Sequence, residues 1–182
     1  MVVEFTLTYD GALPSNGRPQ QKHDIRKALH PQLKELWYNP PLQDYLSQTE
    51  QEGKALSTVD GHGFTAIVNQ FFQFRAKLDI LILKPEQPGG IVLSGGDIDN
   101  RLKTLFDAMT RPAASQDVPS DWIPESEEKP LHCLLEDDGL ITSVNVRTSR
   151  LLNPTQPTHV KVVVDVSVST RHVFGGFAIL AP

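Results

Sequence analysis

The chain has 182 residues, of which 39% are hydrophobic, and its formal net charge is −5. This length and composition suffice for one domain with a proper core, and they exclude a chain that is disordered throughout. The acidic balance argues against a protein that coats DNA, although it leaves room for a local basic groove and is also what a carboxylate-rich metal site would show.

Two further features bear on the compartment. No apolar run is long enough to span a bilayer, and the N-terminal Met-Val-Val-Glu-Phe lacks the basic region and apolar core of a signal peptide. Cys133 is the single cysteine, so an internal disulfide is excluded. We therefore expect a cytoplasmic protein that forms one domain over residues 1–182 and has no membrane association.

The first third of the chain predicts a strand, a loop and a helix. Apolar and polar residues alternate over 2–9, as in a half-buried strand, and turn-forming residues follow over 10–17. Residues 20–37 have helical spacing around Pro31, a residue that can kink or divide a helix. The basic residues of this helix predict a solvated face, with phosphate contact as the less favoured alternative; they are Lys22, Arg26, Lys27 and Lys34.

The middle third mixes loops with apolar runs. We expect a short helix at 42–50 and a loop at 51–63. The apolar run at 64–71 fits either a strand or a helix end, because short apolar runs are ambiguous. Residues 72–83 alternate more clearly and predict a strand that is buried on both faces near its end. A turn and a short strand over 85–93 follow.

The most informative stretch begins at the glycine pair 95–96. Asp99 or Asn100 is a suitable N-cap for a helix that should end near Thr110, before Pro112. The apolar residues of this helix have the i, i+3, i+4, i+7 spacing of a helix packed on a core; they are Leu102, Leu105, Phe106 and Met109.

Charged residues gather at the start of this helix. Asp97 and Asp99 alternate on extended backbone and can point to one side, and Lys103 and Asp107 continue the charged stripe at four-residue steps. The stripe fits helix capping and i,i+4 ion pairs, which many surface helices have. It fits equally a site in which two carboxylates, the Asn100 amide and a lysine converge at one helix N-terminus.

The last third predicts a loop and two strands. Four prolines mark a loop insertion at about 112–132, and a plain insertion is favoured over a flap above the site. Alternation predicts strands at 140–147 and 158–169, and the turn at 153–157 between them indicates a hairpin. We therefore predict an α+β fold, in which a mixed or antiparallel sheet of four to five strands packs with two main helices.

A second acidic element, Glu136-Asp137-Asp138-Gly139, precedes the 140–147 strand. It fits a plain turn, since Asp and Gly favour turns. It also fits a third carboxylate presented at a strand end beside the helix N-terminus. Three close carboxylates repel one another unless a cation sits among them, and Mg²⁺ prefers such hard oxygen ligands. A divalent ion there can activate water for phosphodiester hydrolysis, while Lys103 adds positive charge at the phosphate or leaving oxygen.

The chain resembles the RusA-type Holliday junction resolvases in four segments. They are Pro14-Ser15-Asn16, Asp97-Ile-Asp99-Asn100-Arg-Leu-Lys103, Phe106-Asp107-Ala108 and Asp137-Asp138. The order of the predicted elements extends the resemblance over most of the chain. It implies a RusA-like fold and a small, Mg²⁺-dependent, homodimeric endonuclease that cleaves branched DNA in recombination and repair and is often prophage-encoded.

The resemblance also implies roles for single residues. Asp97, Asp99 and Asp138 match the carboxylates that bind Mg²⁺, or alternatively Mn²⁺, and Lys103 matches the catalytic lysine. Supporting roles are implied for Asn100, Asp107 and Asp137. Two alternatives from other classes stay open, namely a non-catalytic DNA- or protein-binding module on the same fold and a metal-dependent hydrolase of a smaller phosphorylated substrate.

Overall fold

The computed structural model describes residues 2–40, 42–43, 56–86 and 98–170. Over these residues the protein has an α+β fold with two main helices and two mixed sheets, one of four strands and one of three. The predicted α+β class and its two helices are confirmed, while two sheets replace the single sheet that was expected. Most of the predicted short helix at 42–50 and of the segment 85–93 lies outside the described residues.

The four-stranded sheet has the order β1 (Val2–Ala12), β7 (His159–Thr170), β4 (Phe74–Lys84) and β6 (Ile141–Arg150). Strand β7 is antiparallel to both of its neighbours, and β6 is parallel to β4. The predicted hairpin between the last two strands is therefore wrong, because β4 lies between them. The chain leaves β6 on one edge and crosses to the far side of β4 before it starts β7.

Strict alternation explains the inner face of this sheet. Leu7 pairs with Val164, which pairs in turn with Ile80, and all three are buried. Leu81 and Leu83 point to the other face and are only half-buried, so the prediction that this strand is enclosed on both faces near its end is wrong. The sheet buries one face, as antiparallel sheets commonly do.

The three-stranded sheet has the order β2 (Leu56–Val59), β3 (His62–Val68) and β5 (Leu131–Leu135). A two-residue turn of Asp60 and Gly61 joins β2 to β3, and both residues have the positive φ angles that a tight hairpin requires. The loop predicted at 51–63 is therefore wrong for its described part. Of the two alternatives for the apolar run at 64–71, the strand is correct for most of it, because β3 extends to Val68. Strand β5 runs parallel to β3.

A shared corner joins the two sheets. The chain passes from β3 into β4 and later from β5 into β6, and these two passages lie side by side: the Glu136 N–H donates to the Val68 carbonyl at 2.9 Å. Immediately beyond the corner, Ile141 pairs with Ala76. The Asn69 side chain shapes the first passage, since it donates to the Ala66 carbonyl at 2.9 Å and accepts the Phe72 N–H at 2.8 Å.

The two helices, α1 (Pro19–Tyr38) and α2 (Ile98–Met109), run parallel and in contact. Arg26 of α1 is buried and donates to two carbonyls at the C-terminal end of α2, those of Asp107 at 3.0 Å and Thr110 at 3.2 Å. Cations are favourable at this end of a helix dipole. Pro31 lies inside α1 without ending it. The predicted apolar stripe of α2 packs on the core, with Leu105 and Met109 fully buried.

The proline-rich segment (residues 112–130) is docked on the fold. The Trp122 ring packs edge-on against His23 of α1 and His62 of β3, with ring centroids 4.4 and 5.0 Å away. The buried Glu128 carboxylate forms an ion pair with Lys27 at 2.9 Å. The segment ends where β5 begins and is anchored to α1 and to the smaller sheet. No helix in the described part of the chain is long and apolar enough to cross a membrane.

Candidate active site at the N-terminal half of α2

Asp99 and Lys103 lie one turn apart on α2, and both side chains are exposed. Among the described residues neither forms a hydrogen bond or an ion pair, so the predicted i,i+4 pairing along this stripe is absent there. Asp107, the next member of the stripe, instead forms an ion pair with Lys22 of α1 at 2.6 Å. A carboxylate and an ammonium group are thus left available to a ligand on the first turns of α2, while Asp107 fastens the two helices together.

Two other members of the predicted site have different situations. Asn100 is half-buried, and its carbonyl accepts a hydrogen bond from the Thr104 hydroxyl at 3.2 Å. Asp97, the first carboxylate of the motif, lies outside the described residues. The part of the site that can be described is therefore Asp99, Asn100 and Lys103, all presented by one helix.

The loop before α1 forms a wall beside these residues. The Gly17 N–H donates to the Thr104 hydroxyl at 2.8 Å, and the Arg101 guanidinium donates to the Leu13 carbonyl at 2.9 Å. The Pro14-Ser15-Asn16 segment lies between these two contacts. An open groove of about 720 Å³ runs along the loop, lined among others by Pro14, Ser15, Gln21, Glu86 and Arg101.

The second acidic element forms a tight turn at the corner between the sheets. Asp137 caps a short 3-10 turn, Asp138–Leu140, by accepting the Gly139 N–H at 2.7 Å. Glu136 is held by an ion pair with Arg111 and by the Gln70 N–H, which donates to its carboxylate at 2.6 Å. The Asp138 side chain is exposed and has no hydrogen bond or ion pair to the described residues. Of the three acids, Asp138 is the one left for a ligand.

Helix α2 separates the two acidic elements within one chain. The residues after its C-terminal end contact the end of β5: Thr110 forms a β-bridge with Leu135, and the Arg111 N–H donates to the Leu135 carbonyl at 2.8 Å. Asp99 lies at the opposite end, eleven residues earlier, which is about 16 Å along a helix axis. Of the two interpretations of the acidic element, the plain turn is what the structure shows, and the third carboxylate lies near the C-terminal end of α2 and not beside its N-terminus.

Among the described residues no three His, Cys, Asp or Glu side chains are grouped to hold a metal ion. Sequence reasoning missed the separation because it missed β5. This strand carries the chain alongside β3 and delivers the acidic turn to the corner between the sheets, away from Asp99.

The lysines of α1 are engaged in ion pairs. Besides Lys22, Lys27 pairs with Glu128 at 2.9 Å and Lys34 with Glu127 at 2.5 Å. These carboxylates belong to the proline-rich segment, so the basic face of α1 holds that segment in place. Neither the predicted solvated face nor the alternative of phosphate contact describes these residues.

Three buried histidines are structural. The His30 Nδ1 accepts the His132 backbone N–H at 2.9 Å, and its Nε2–H donates to the Glu127 carbonyl at 2.8 Å, so the ring is neutral. Burial lowers the pKa of His23 and of His132 to about 4. Burial also raises the pKa of the Cys133 thiol to about 11. These histidines and the thiol are therefore uncharged groups of the core at neutral pH.

No protein-family model matches the sequence, and no curated protein matches it.

Proposed function

We propose that the protein is a Mg²⁺-dependent endodeoxyribonuclease that cleaves branched DNA by hydrolysis of a phosphodiester. The observation that carries the proposal is the exposed, unpaired state of Asp99 and Lys103 on the first turns of α2, within the sequence Asp-Ile-Asp-Asn-Arg-Leu-Lys. Acidic and basic groups one turn apart on a surface helix ordinarily pair with each other or with neighbours. Here the next acid, Asp107, is paired with Lys22, whereas Asp99 and Lys103 form no ion pair with the residues that the structure describes.

The residue types fit the cofactor. Carboxylate oxygens are the ligands that Mg²⁺ prefers, and this ion is often bound through one or two carboxylates together with substrate phosphates. Asp97 and Asp99 would hold it, and the bound ion would supply a water of lowered pKa and a counter-charge for the phosphate. Lys103 brings its own positive charge to the phosphate or to the leaving oxygen.

In the proposed enzyme, Asp138 is supplied by a second subunit. In one chain α2 keeps Asp138 away from Asp99, so the third carboxylate has to be supplied by the partner in a homodimer. Such a dimer would have two equivalent sites, each with an α2 from one subunit and an acidic turn from the other. Two sites in one dimer would suit paired cuts in a branched substrate.

The remaining motif residues have supporting roles in this proposal. Asp107 ties α2 to α1 through Lys22, and Asp137 caps the turn that carries Asp138. Asn100 lies half-buried beside Asp99 and is assigned to orient the backbone of the first turn. A non-catalytic binding module would gain nothing from free carboxylates, since they repel a nucleic acid in the absence of a metal ion.

The direct test is cleavage of labelled four-way junction, flap and linear duplex DNA in Mg²⁺. We expect the wild type to nick the branched substrates and Asp99→Asn to lose activity by about 100-fold or more. Lys77→Gln is the matched control, because Lys77 is an exposed cation on the outer face of β4. A wild type that cuts no DNA at low salt, indistinguishable from Asp99→Asn, would refute the nuclease.

A further inference from the structure

Arg18 lies directly beside the candidate site. The contact between Gly17 and Thr104 brings the loop against α2, and the chain neighbours of these two residues are Arg18 and Lys103. Their Cα atoms are therefore within roughly 14 Å of each other. Both side chains are exposed, so two cations flank the same loop–helix contact one turn along α2 from Asp99.

Arg18 differs from the other cations on this side of the molecule. Lys22, Lys27 and Lys34 are neutralised by carboxylates, and Arg26 is buried against the C-terminal end of α2. The Arg18 backbone N–H is satisfied by the Gln21 side chain at 2.9 Å. Its guanidinium group has no hydrogen bond or ion pair to the described residues. Its charge is thus left for a ligand on the side where α2 presents Asp99.

The loop that carries Arg18 is held in a demanding conformation. Asn16 has φ 57°, a left-handed backbone conformation that side chains other than glycine adopt only in a small minority of cases. A Cβ on Gly17 would lie 2.6 Å from the Thr104 Cγ2, so the loop approaches the helix as closely as a residue without a side chain allows. Asparagine tolerates this conformation better than most residues, and the close approach of Gly17 to Thr104 fixes the position of the loop relative to α2.

We propose that Arg18 is a substrate-positioning residue, which binds a backbone phosphate of the nucleic acid next to the phosphodiester held at Asp99 and Lys103. This inference rests on the proposed nuclease function. Arginine suits the task because its planar guanidinium group binds phosphate oxygens in pairs. Two cations at the spacing of Arg18 and Lys103 can contact phosphates of one strand, which fixes that strand across the loop–helix contact.

The test compares Arg18→Gln and Arg18→Lys with the control Lys77→Gln. Binding of labelled four-way junction is measured by fluorescence anisotropy in EDTA over a range of KCl concentrations, and cleavage is measured in Mg²⁺. We expect Arg18→Gln to reduce the slope of log K against log salt by about one, the signature of one lost phosphate contact. The KM should rise about tenfold, with kcat within about twofold of the wild type.

The two remaining variants show whether the effect comes from the charge at position 18. Arg18→Lys keeps the charge and should recover most of the salt slope, while Lys77→Gln should match the wild type in both assays. The inference is overturned if Arg18→Gln binds with the wild-type slope, or if it lowers kcat without raising KM. Thermal unfolding of each variant shows that the fold is intact.

The outcomes separate this inference from the proposed function. Cleavage that Asp99→Asn abolishes, with Arg18→Gln behaving as wild type, keeps the nuclease and refutes the phosphate contact. Junction binding that depends on Arg18, without any cleavage by the wild type, keeps the contact and refutes the nuclease. A wild type that neither binds nor cleaves DNA refutes both.

Discussion

Gly17 shows how one residue positions the candidate site. It lies where the loop before α1 meets α2, and its N–H is bonded to the Thr104 hydroxyl while its α-carbon faces the Thr104 methyl group. A side chain at this position would push the loop away from the helix. The close approach of this loop to α2 therefore depends on the absence of a side chain at Gly17.

We expect Gly17→Ala to lower the free energy of unfolding by about 1–3 kcal/mol, the usual cost of overpacking a close contact. Thr104→Ser removes the Cγ2 atom that the new Cβ would meet and keeps the hydroxyl that Gly17 uses. The double variant Gly17→Ala/Thr104→Ser should therefore regain at least half of the loss. Urea denaturation measures both values, and a Gly17→Ala variant as stable as the wild type would show that the loop is not held against α2.

Single residues also show what sequence patterns can and cannot predict. The buried positions Leu105 and Met109 follow from helical periodicity, which depends only on near neighbours in the chain. The partner of Asp107 does not follow in this way. Sequence spacing favoured Lys103 four residues away, whereas the parallel packing of the helices supplies Lys22 from a distant part of the chain.

Among the elements, those with a clear period were predicted and those without one were not. Strands β1, β4 and β7 alternate, and α1 and α2 have helical spacing. Strand β5, Leu-His-Cys-Leu-Leu, is buried at every position, so it carries no alternation and was not predicted as a strand. The neighbour of β6 was also missed. The chain between β4 and β6 passes through α2 and β5 and returns to place β6 beside β4, and the local sequence pattern of β6 does not indicate which strand it pairs with.

The interface between α1, β5 and the proline-rich segment should make stability depend on pH. His23 and His132 have folded-state pKa values of about 4, below the ordinary value of about 6.5 for an unfolded chain. As the pH falls below about 6.5 the unfolded state takes up these protons and the folded state does not, so stability falls until about pH 4. Each histidine contributes a slope of roughly 1.4 kcal/mol per pH unit within that window.

Urea denaturation between pH 7.5 and 4.5 measures this slope. His132→Leu removes one titrating group. The slope of the free energy of unfolding against pH should therefore fall by about the contribution of one histidine, whatever the variant does to stability at pH 7.5. Ion pairs such as Lys34 with Glu127 lose their contribution only at lower pH, because the carboxylate protonates below about pH 4.5. A stability that is constant from pH 7.5 to 5 would contradict the prediction, because it would show that the histidines take up protons as readily in the folded state as in the unfolded state.

For the whole molecule, the decisive fact is the position of the acidic turn relative to α2. The C-terminal end of α2 and the end of β5 meet at Thr110 and Leu135, and the chain then reaches Asp138 at the corner where β4 and β6 begin. Asp99 lies toward the opposite ends of those strands, since its neighbour Arg101 contacts the residue that follows β1. Asp99 and Asp138 therefore lie toward opposite ends of these strands within one chain, and in the proposed function a homodimer joins them.

Mixed dimers test this arrangement directly. Asp99→Asn and Asp138→Asn should each be inactive, whereas a dimer with one subunit of each kind has one site that combines the intact Asp99 of one subunit with the intact Asp138 of the other. We therefore expect dimers co-expressed with two tags and purified by both to regain about half of the wild-type nicking rate, since one of two sites is restored.

A mixed dimer of Asp99→Asn and Lys103→Gln is the matched control and should stay inactive, because both residues belong to the same α2. Full activity of Asp138→Asn alone, or equal inactivity of both mixed dimers, would contradict a site shared between subunits, because in either case Asp138 would not be completing the site of the opposite chain.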